Sequence, residues 1–482
     1  MNGIQVNDRQ NTKIIATVGP ASSSIAQLLA LVKAGVDVFR LNFSHGTHAE
    51  HEEVIKKICS IKKKHDIHIS ILADLQGPKL RIGKMENGSI RVNKGDILTF
   101  VNTKCIGTKE KIYMSYKKFA QDVNVGEKVL VDDGKLVFEV TETDKKTTVK
   151  LKVLFGGDLS SKKGVNLPNT KISLPSLTEK DLRDLDFILN QPVINWIALS
   201  FVRTAKDIKD LIRKIEAKGH KAKVIAKIEK PEAIQNIDKI IKVSNGIMIA
   251  RGDLGIEVPI EQLPGLQKMI IRKCIQRARP VIVATQMMDS MIESPTPTRA
   301  EVTDVANAVL DGTDAVMLSA ETSVGIHPAK VVEAMNNIIE EAEKSYHYTP
   351  QSRPQASPKS RTFLSDVICF NSGRTAEEVG AKAILGLTIS GYTAFKVSSY
   401  RPNAKIYIFS SQENILSTLN LVWGVRCFYY NRFTSTDETV TDVVNILKKE
   451  GRVKKGDILI NTGSMPLQER LRTNMLKVTQ VK

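Results

Sequence analysis

Eight short, almost wholly apolar runs separated by amphipathic stretches constrain the fold of this chain more than any other feature. They are KIIATVG (13–19), VDVFRLNF (36–43), IHISILADL (67–75), VINWIALSF (193–201), KVIAKIE (223–229), GIMIARGD (246–253), PVIVATQM (280–287) and DAVMLSAE (314–321). A strand that is apolar on both faces must be covered on both faces. A parallel sheet with helical crossovers does this. The stretches EEVIKKICSIKKKHD (52–66), TAKDIKDLIRKIEAKG (204–219) and PEAIQNIDKIIKVS (231–244) carry apolar residues at helical spacing and supply the crossovers. Eight such units predict a closed (β/α)8 TIM barrel, with a doubly wound open sheet as the alternative.

One connection does not fit a plain barrel. Between the third run and a helix predicted to start near Thr178, the chain reads as short strands: SIRVNKGDILTFV (89–101), EKVLVDDGKLVFEVTET (127–143) and KTTVKLKVLF (146–155). Asn87-Gly88 and Asp133-Gly134 mark turns between them. This predicts an all-β domain inserted at the carboxyl end of the third barrel strand, where a lid would sit over an active site. A Ser/Pro-rich linker is expected at Gln351–Ser360, followed by a smaller α/β domain. In that domain a helix is expected in RTAEEVGAKAILG (374–386), with strands in GLTIS (386–390), AKIYIFSS (404–411), VRCFYY (425–430) and DILINTG (457–463). The predicted limits are 1–77 plus 176–347 for the barrel, 78–175 for the lid and 348–482 for the C-terminal domain.

The apolar runs end in polar residues two positions apart, which in a strand point to one face. Arg40, Asn42 and Ser44 end the second; Asp74 and Gln76 the third; Lys227 and Glu229 the fifth; Arg251 and Asp253 the sixth. Thr285 ends the seventh, and Ser319 and Glu321 the eighth. Any one pair is consistent with a structural salt bridge, but in a barrel all of them converge on one rim. Glu229 and Asp253 are hard oxygen donors suited to Mg²⁺ or Mn²⁺. Lys227 and Arg40 are cations of the kind a phosphoryl group needs. No Walker A or GxGxxG motif occurs. The combination points to phosphoryl transfer or enolate chemistry.

Composition narrows the alternatives. The formal net charge is +18, but the lysines are dispersed over helical faces, so the reading is solvated surface and no nucleic-acid partner. Cys59, Cys105, Cys274, Cys369 and Cys427 form no CxxC and predict reduced thiols rather than zinc. No apolar run is long enough to span a bilayer, and MNGIQVNDRQ is not a signal segment, so a cytoplasmic protein without a membrane partner is expected.

At these residues the chain resembles the pyruvate kinase family over nearly its whole length. The matching stretches are KIIATVGPAS, FRLNFSHG, KGVNLP, AKIEKPEAI, IMIARGDLG, ATQMMDSM, PTPTRAEVTDVANAVLDGTDAVMLSAET and RTNMLKV. The resemblance implies phosphoryl transfer from phosphoenolpyruvate to ADP, in a homotetramer of chains built from barrel, lid and regulatory domain. Some relatives carry a further phosphohistidine-type domain, which is not expected in this chain. Glu229 and Asp253 resemble the divalent-metal ligands, and Lys227 the cation that bridges to the phosphoryl group in flight. Arg40 and Arg81 resemble phosphate contacts. Thr285, with the Gly252 and Asp253 backbone, resembles the carboxylate seat. Thr285, Ser319 and Glu321 resemble the polar set near the carbon that receives a proton. Pro20, Asn42, His45, Arg81 and Lys163 resemble the nucleotide side.

Two departures carry expectations of their own. In K⁺-requiring members of the family Glu stands where this chain has Lys79, and Thr, Lys and Thr stand at Leu75, Gln76 and Ile82. The set here resembles the K⁺-independent branch, with the Lys79 ammonium replacing the ion near Asn42, Ser44 and Asp74, in the simplest form by pairing with Asp74. In LTISGYTAFKVSSYRP, the residues Thr388, Ser390, Gly391 and Thr393 resemble a phosphorylated-effector loop. Tyr392 stands where Arg is frequent, and Phe395 where another cation is common. The rival readings are a metal-dependent lyase acting on a 2-oxo acid, and a regulatory or basic nucleic-acid-binding protein without turnover.

Overall fold

The predicted strand runs form a closed parallel barrel in the structure, a computed structural model describing residues 9–345, 358–432, 435–465 and 471–482. The strands are β1 (Lys13–Thr17), β2 (Val38–Asn42), β3 (Ser70–Asp74), β4 (Trp196–Leu199), β5 (Lys223–Ile228), β6 (Gly246–Ala250), β7 (Val281–Ala284) and β8 (Ala315–Leu318). Each pairs with its sequence neighbour, and β1 pairs with β8 to close the ring. Alternate residues fill the interior: Ile15, Val38, Leu72, Trp196, Ala198, Ile225, Met248, Ile282, Ala284, Ala315 and Met317. The other alternation packs against the outer helices through a second, larger apolar layer.

Several helices start where the sequence caps them. Thr178 accepts from the Asp181 N–H ahead of helix Glu179–Leu189, and Asp181 reaches back to the cap. Thr298 and Glu301 do the same for helix Arg299–Leu310. The run 231–244 is two helices rather than one, Pro231–Gln235 and Ile237–Val243, parted at Asn236.

The inserted segment leaves β3 at its carboxyl end. It folds as a six-stranded sheet with a further strand pair, around its own core of Leu98, Phe100, Phe138, Val140, Leu151 and Val153. Both predicted turns hold left-handed residues: Asn87 (φ 51°) and Gly88 (φ 84°), then Asp133 (φ 56°) and Gly134 (φ 84°). Gly77 begins the hinge with φ 70°. A Cβ there would lie 2.8 Å from Phe201 Cδ2 and 2.9 Å from Ser200 Cβ. Gly77→Ala is therefore expected to destabilise the chain by about 2–4 kcal/mol, from left-handed strain plus overpacking. Urea denaturation checks this, and a midpoint equal to wild type would contradict it.

The C-terminal domain has a five-stranded sheet in the order Val425–Tyr429, Lys405–Ser410, Ala383–Leu387, Ile458–Gly463, Met475–Gln480; the last strand is antiparallel. Two expectations are corrected here. The helix expected at 374–386 is the end of helix Phe363–Glu378, and the strand expected at 386–390 is Ala383–Leu387. AILGL is an apolar run that serves a helix face and a buried strand equally well, and sheet pairing on both sides decides for the strand. The expected linker lies outside the described residues except for Pro358–Ser360.

This domain caps the amino end of the barrel, opposite the lid. Arg401 donates to Asp314 at 2.9 Å, Lys13 Nζ to the Val425 carbonyl at 2.9 Å and Trp196 Nε1 to the Thr418 carbonyl at 3.1 Å. Among the described residues, no helix is long and apolar enough to cross a membrane.

Candidate active site

The alternation that builds the barrel interior continues past the core and ends in polar groups. One step beyond Ile15, Val38, Leu72, Ala198 and Ile225 come Thr17, Arg40, Asp74, Ser200 and Lys227. These five bond to one another. Arg40 Nε and Nη2 reach Asp74 Oδ2 at 2.8 and 2.7 Å, and Nη1 donates to Thr17 Oγ1 at 2.9 Å. Lys227 Nζ lies 3.2 Å from Asp74 Oδ1, 3.0 Å from Glu229 Oε1 and 2.8 Å from Ser200 Oγ. Thr17 and Ser200 were not singled out in the sequence. Extending each strand's inward alternation by one step would have found both.

Burial and charge compete at each of these groups. Burial pushes the Asp74 carboxyl up, but Lys227 and Arg40 hold it below its ordinary value. Burial pushes the Lys227 ammonium down, and the carboxylates of Asp74 and Glu229 more than reverse this. The Glu229 carboxyl is pushed up by burial and by the nearby charge of Asp253, against the pull of Lys227. Glu229 is fixed by the Phe201 N–H, which donates to Oε2 at 2.8 Å from a left-handed residue (φ 53°).

The GIMIARGD run breaks earlier than its pattern implies. β6 stops at Ala250, and Arg251–Glu257 form a short helix, so Arg251 and Asp253 are not a strand-end pair. Arg251 turns away and binds Asp304 with two nitrogens, at 2.6 and 2.7 Å. It also donates to the Thr285 carbonyl at 2.9 Å. That contact braces a strained loop, for Thr285 (φ 71°) and Gln286 (φ 53°) are both left-handed. A β-branched residue there is unusual and is held only by its surroundings. The Gly252 N–H donates to Thr285 Oγ1 at 2.7 Å.

Ser319 lies just past β8. Both Glu321 oxygens accept backbone N–H groups, from Ser319 at 2.6 Å and Met288 at 3.2 Å. Burial raises the Glu321 carboxyl against those bonds. In this geometry Glu321 ties the β7 and β8 loops together.

On the lid side, Arg81 Nη1 donates to the Lys162 carbonyl at 3.0 Å, and Lys163 pairs with Asp132 at 2.8 Å. Pro20 is exposed, and Asn42 Oδ1 accepts the Ser44 N–H at 3.1 Å. His45 is held below its ordinary pKa by burial and then by the charges of Lys79, Arg81, Arg40 and Lys180. Cations from hinge, lid and barrel thus converge on it. One expectation fails here: Lys79 is exposed and forms no ion pair with Asp74. Arg40 and Lys227 hold that carboxylate from inside the barrel, while Lys79 stands past the Gly77-Pro78 break, on the hinge.

In the C-terminal domain, Thr388 Oγ1 accepts the Gly391 N–H at 3.0 Å, and Thr393 shares a 2.6 Å bond with Thr473. Thr388 and Thr393 are buried and already bonded, whereas Ser390 is exposed.

A TIM barrel whose rim holds fixed cations and carboxylates beneath a hinged lid defines an enzyme that moves an anionic group by charge placement. The comparisons name the group. The family models "Pyruvate kinase, barrel domain" and "Pyruvate kinase, alpha/beta domain" match residues 9–332 and 366–479. The chain is 42% identical to a pyruvate kinase of Geobacillus stearothermophilus over 474 residues, covering 98% of this chain and 80% of the relative. It is 40% identical to one of Staphylococcus aureus (strain MRSA252) over 470 residues, covering 97% of this chain and 80% of the relative. A crystal structure of a pyruvate kinase from Cryptosporidium parvum superposes with a TM-score of 0.91 at 34% identity, covering 99% of this chain and 98% of that one. The chain belongs to the pyruvate kinase family. It is a phosphotransferase that passes the phosphoryl group of phosphoenolpyruvate to ADP, giving pyruvate and ATP in the final step of glycolysis.

Proposed function

We propose that Lys227 is the group that neutralises the phosphoryl group in flight. The observation that carries this reading is its ammonium at the barrel rim, kept charged by Asp74 and Glu229 despite side-chain exposure of only 12%. Arg40, already oriented by Asp74 and Thr17, and Arg81, entering from the lid, hold phosphate oxygens. Glu229 and Asp253 fit a divalent cation, because the nearby charge of Asp253 pushes the Glu229 carboxyl up and a dication would relieve that repulsion. Bound there, Mg²⁺ or Mn²⁺ supplies charge stabilisation to the phosphate and carboxylate oxygens.

The remaining work falls to the chain itself. Gly252, Asp253 and Thr285 seat the substrate carboxylate. The P–O bond to the enol oxygen breaks as an ADP oxygen bonds to phosphorus. The electron pair left on the enolate takes a proton at carbon from a water molecule beside Thr285 and Ser319, with Glu321 positioning that loop. Pro20, Asn42, His45, Arg81 and Lys163 form the nucleotide side, supported by the convergence of four cations on His45. Lid closure excludes water and so limits hydrolysis.

The reading extends to limits of 1–77 plus 176–347, 78–175 and 348–482 for the three domains, to a cytoplasmic homotetramer, and to a phosphorylated effector near Ser390. It also includes independence from K⁺. A free ion would add one positive charge beside the phosphates. Lys79, tethered at the hinge, adds the same charge to the field at His45 without the entropy of capturing an ion. Full activity is expected with Mg²⁺ in tetramethylammonium buffer free of K⁺ and Na⁺, and Lys79→Glu is expected to create K⁺ dependence. A pyruvate-forming assay decides. Activation of the natural enzyme by K⁺ of tenfold or more, about 1.4 kcal/mol of barrier, would overturn this part of the reading.

A further inference from the structure

Beyond its hinge, the lid holds the barrel through one buried carboxylate. Asn166, in the lid strand Val165–Asn166, donates through Nδ2 to Glu257 Oε1 at 2.9 Å. Lys230 Nζ meets the same oxygen at 2.7 Å. The Glu257 side chain is 1% exposed and that of Lys230 6%. Among the described residues, Asn166–Glu257 is the only side-chain hydrogen bond from the body of the lid, 79–171, to the barrel. A second contact falls on the same element. A Cβ built at Gly134, in the lid's Asp133-Gly134 turn, would lie 3.9 Å from Ile256 Cγ2.

Both barrel partners lie next to groups of the catalytic rim. Glu257 ends the helix Arg251–Glu257, four residues after Asp253, so the two share one helix face. Lys230 directly follows Glu229, just past the end of β5. The ion pair therefore braces the helix carrying Asp253 against the strand end carrying Glu229, and Asn166 adds the lid to that brace. Asn166, Lys230, Asp253 and Glu257 all line one cleft between lid and barrel.

Stability alone does not account for this arrangement. Two donors share Oε1, while Oε2 is buried and, among the described residues, accepts no hydrogen bond. A half-satisfied buried acid is costly, and packed apolar residues often replace a buried ion pair without loss. An apolar pair could not supply a directional link between three segments. We propose that Glu257 is a positioning residue, one that sets the separation of Glu229 and Asp253 and makes it depend on whether the lid is seated. The proposal rests on the reading of those two acids as ligands of the divalent cation.

The test is titration of the full-length enzyme with Mn²⁺ alone, the free ion being counted by paramagnetic resonance. Glu257→Gln by itself leaves Lys230 buried without a counter-charge. The chief variant is therefore the double one, Lys230→Met with Glu257→Gln, which removes a neutral pair and keeps the fold. Its net charge near the site is that of wild type, so an altered affinity reports position rather than field. Mn²⁺ affinity is expected to fall roughly tenfold or more, as when supports behind metal ligands are removed. In wild type, Mn²⁺ should also slow amide exchange over Lys128–Val131 and Val165–Asn166, which pair within the lid. In Asn166→Ala it should not. Coupling is reciprocal, so Asn166→Ala should bind Mn²⁺ more weakly by the factor through which the ion protects those strands in wild type. This variant leaves the ion pair intact and decides the matter if the double variant does not fold. Asp253→Asn is the control for the ligands themselves. A folded double variant that binds Mn²⁺ within about twofold of wild type, while Asp253→Asn binds it poorly, overturns the role of Glu257 alone. Wild-type binding by Asp253→Asn overturns the ligand reading and this proposal with it. Equal slowing of lid exchange in wild type and Asn166→Ala overturns the link to the lid.

Discussion

Lys227→Met is expected to lower the phosphoryl-transfer rate by at least ~10²–10³-fold, the usual consequence of removing a preorganised charge from a transition state. The ammonium touches Asp74, Glu229 and Ser200, so it is already oriented and desolvated before substrate arrives. No reorganisation is needed as charge develops on the transferring group. The methionine chain fills similar volume, and Asp74 keeps its bonds to Arg40, so the barrel should remain folded. A second readout separates chemistry from collapse. Exchange of pyruvate methyl protons with solvent reports enolate protonation without phosphoryl transfer, and it should survive in the variant. Turnover within tenfold of wild type in the folded protein would refute the role given to Lys227.

Asp74→Asn should destabilise the protein by about 3–5 kcal/mol, the range for removing one partner of a buried ion pair. Asp74 is 1% exposed and compensates two cations from different strands, Arg40 on β2 and Lys227 on β5. The amide takes away the carboxylate that Arg40 binds and leaves Lys227 paired with Glu229. The sign with pH follows from the depressed carboxyl. Its stabilisation is present above the ordinary aspartate pKa of about 3.9 and is lost as pH falls through the lower folded value. The gap between wild type and D74N should therefore narrow only in strong acid. Urea titrations followed by the fluorescence of Trp196, buried inside the barrel, measure both effects. A difference below about 1 kcal/mol at neutral pH would show that the pair adds little, as exposed pairs do.

The parts of the site legible in the sequence were those on regular strands. Arg40, Asp74, Lys227 and Glu229 follow apolar runs whose period of two persists to the rim, so their facing was readable without coordinates. The parts that escaped lie where the chain leaves that geometry. Arg251 looked like a rim cation because it follows a strand, yet the backbone turns into a helix at that residue and sends it to Asp304. Lys79 was expected to pair with Asp74 from the resemblance to the K⁺-independent branch, but two cations from other strands hold that acid.

By itself, the sequence determined the eight strand runs, the site of the β insertion, the rim groups Arg40, Asp74, Lys227 and Glu229, and the family. Each follows from local periodicity, turn chemistry or contiguous motifs. The tertiary structure alone decided which cation meets which carboxylate, that Thr285 is held left-handed by Arg251, and that Glu321 is consumed by backbone N–H groups. It alone brought Lys230 and the lid's Asn166 to one oxygen of Glu257 across a domain boundary. The physical reason is that pairing, strain and burial depend on groups far apart in the chain, and their energies are defined only once the barrel closes and its two ends are covered.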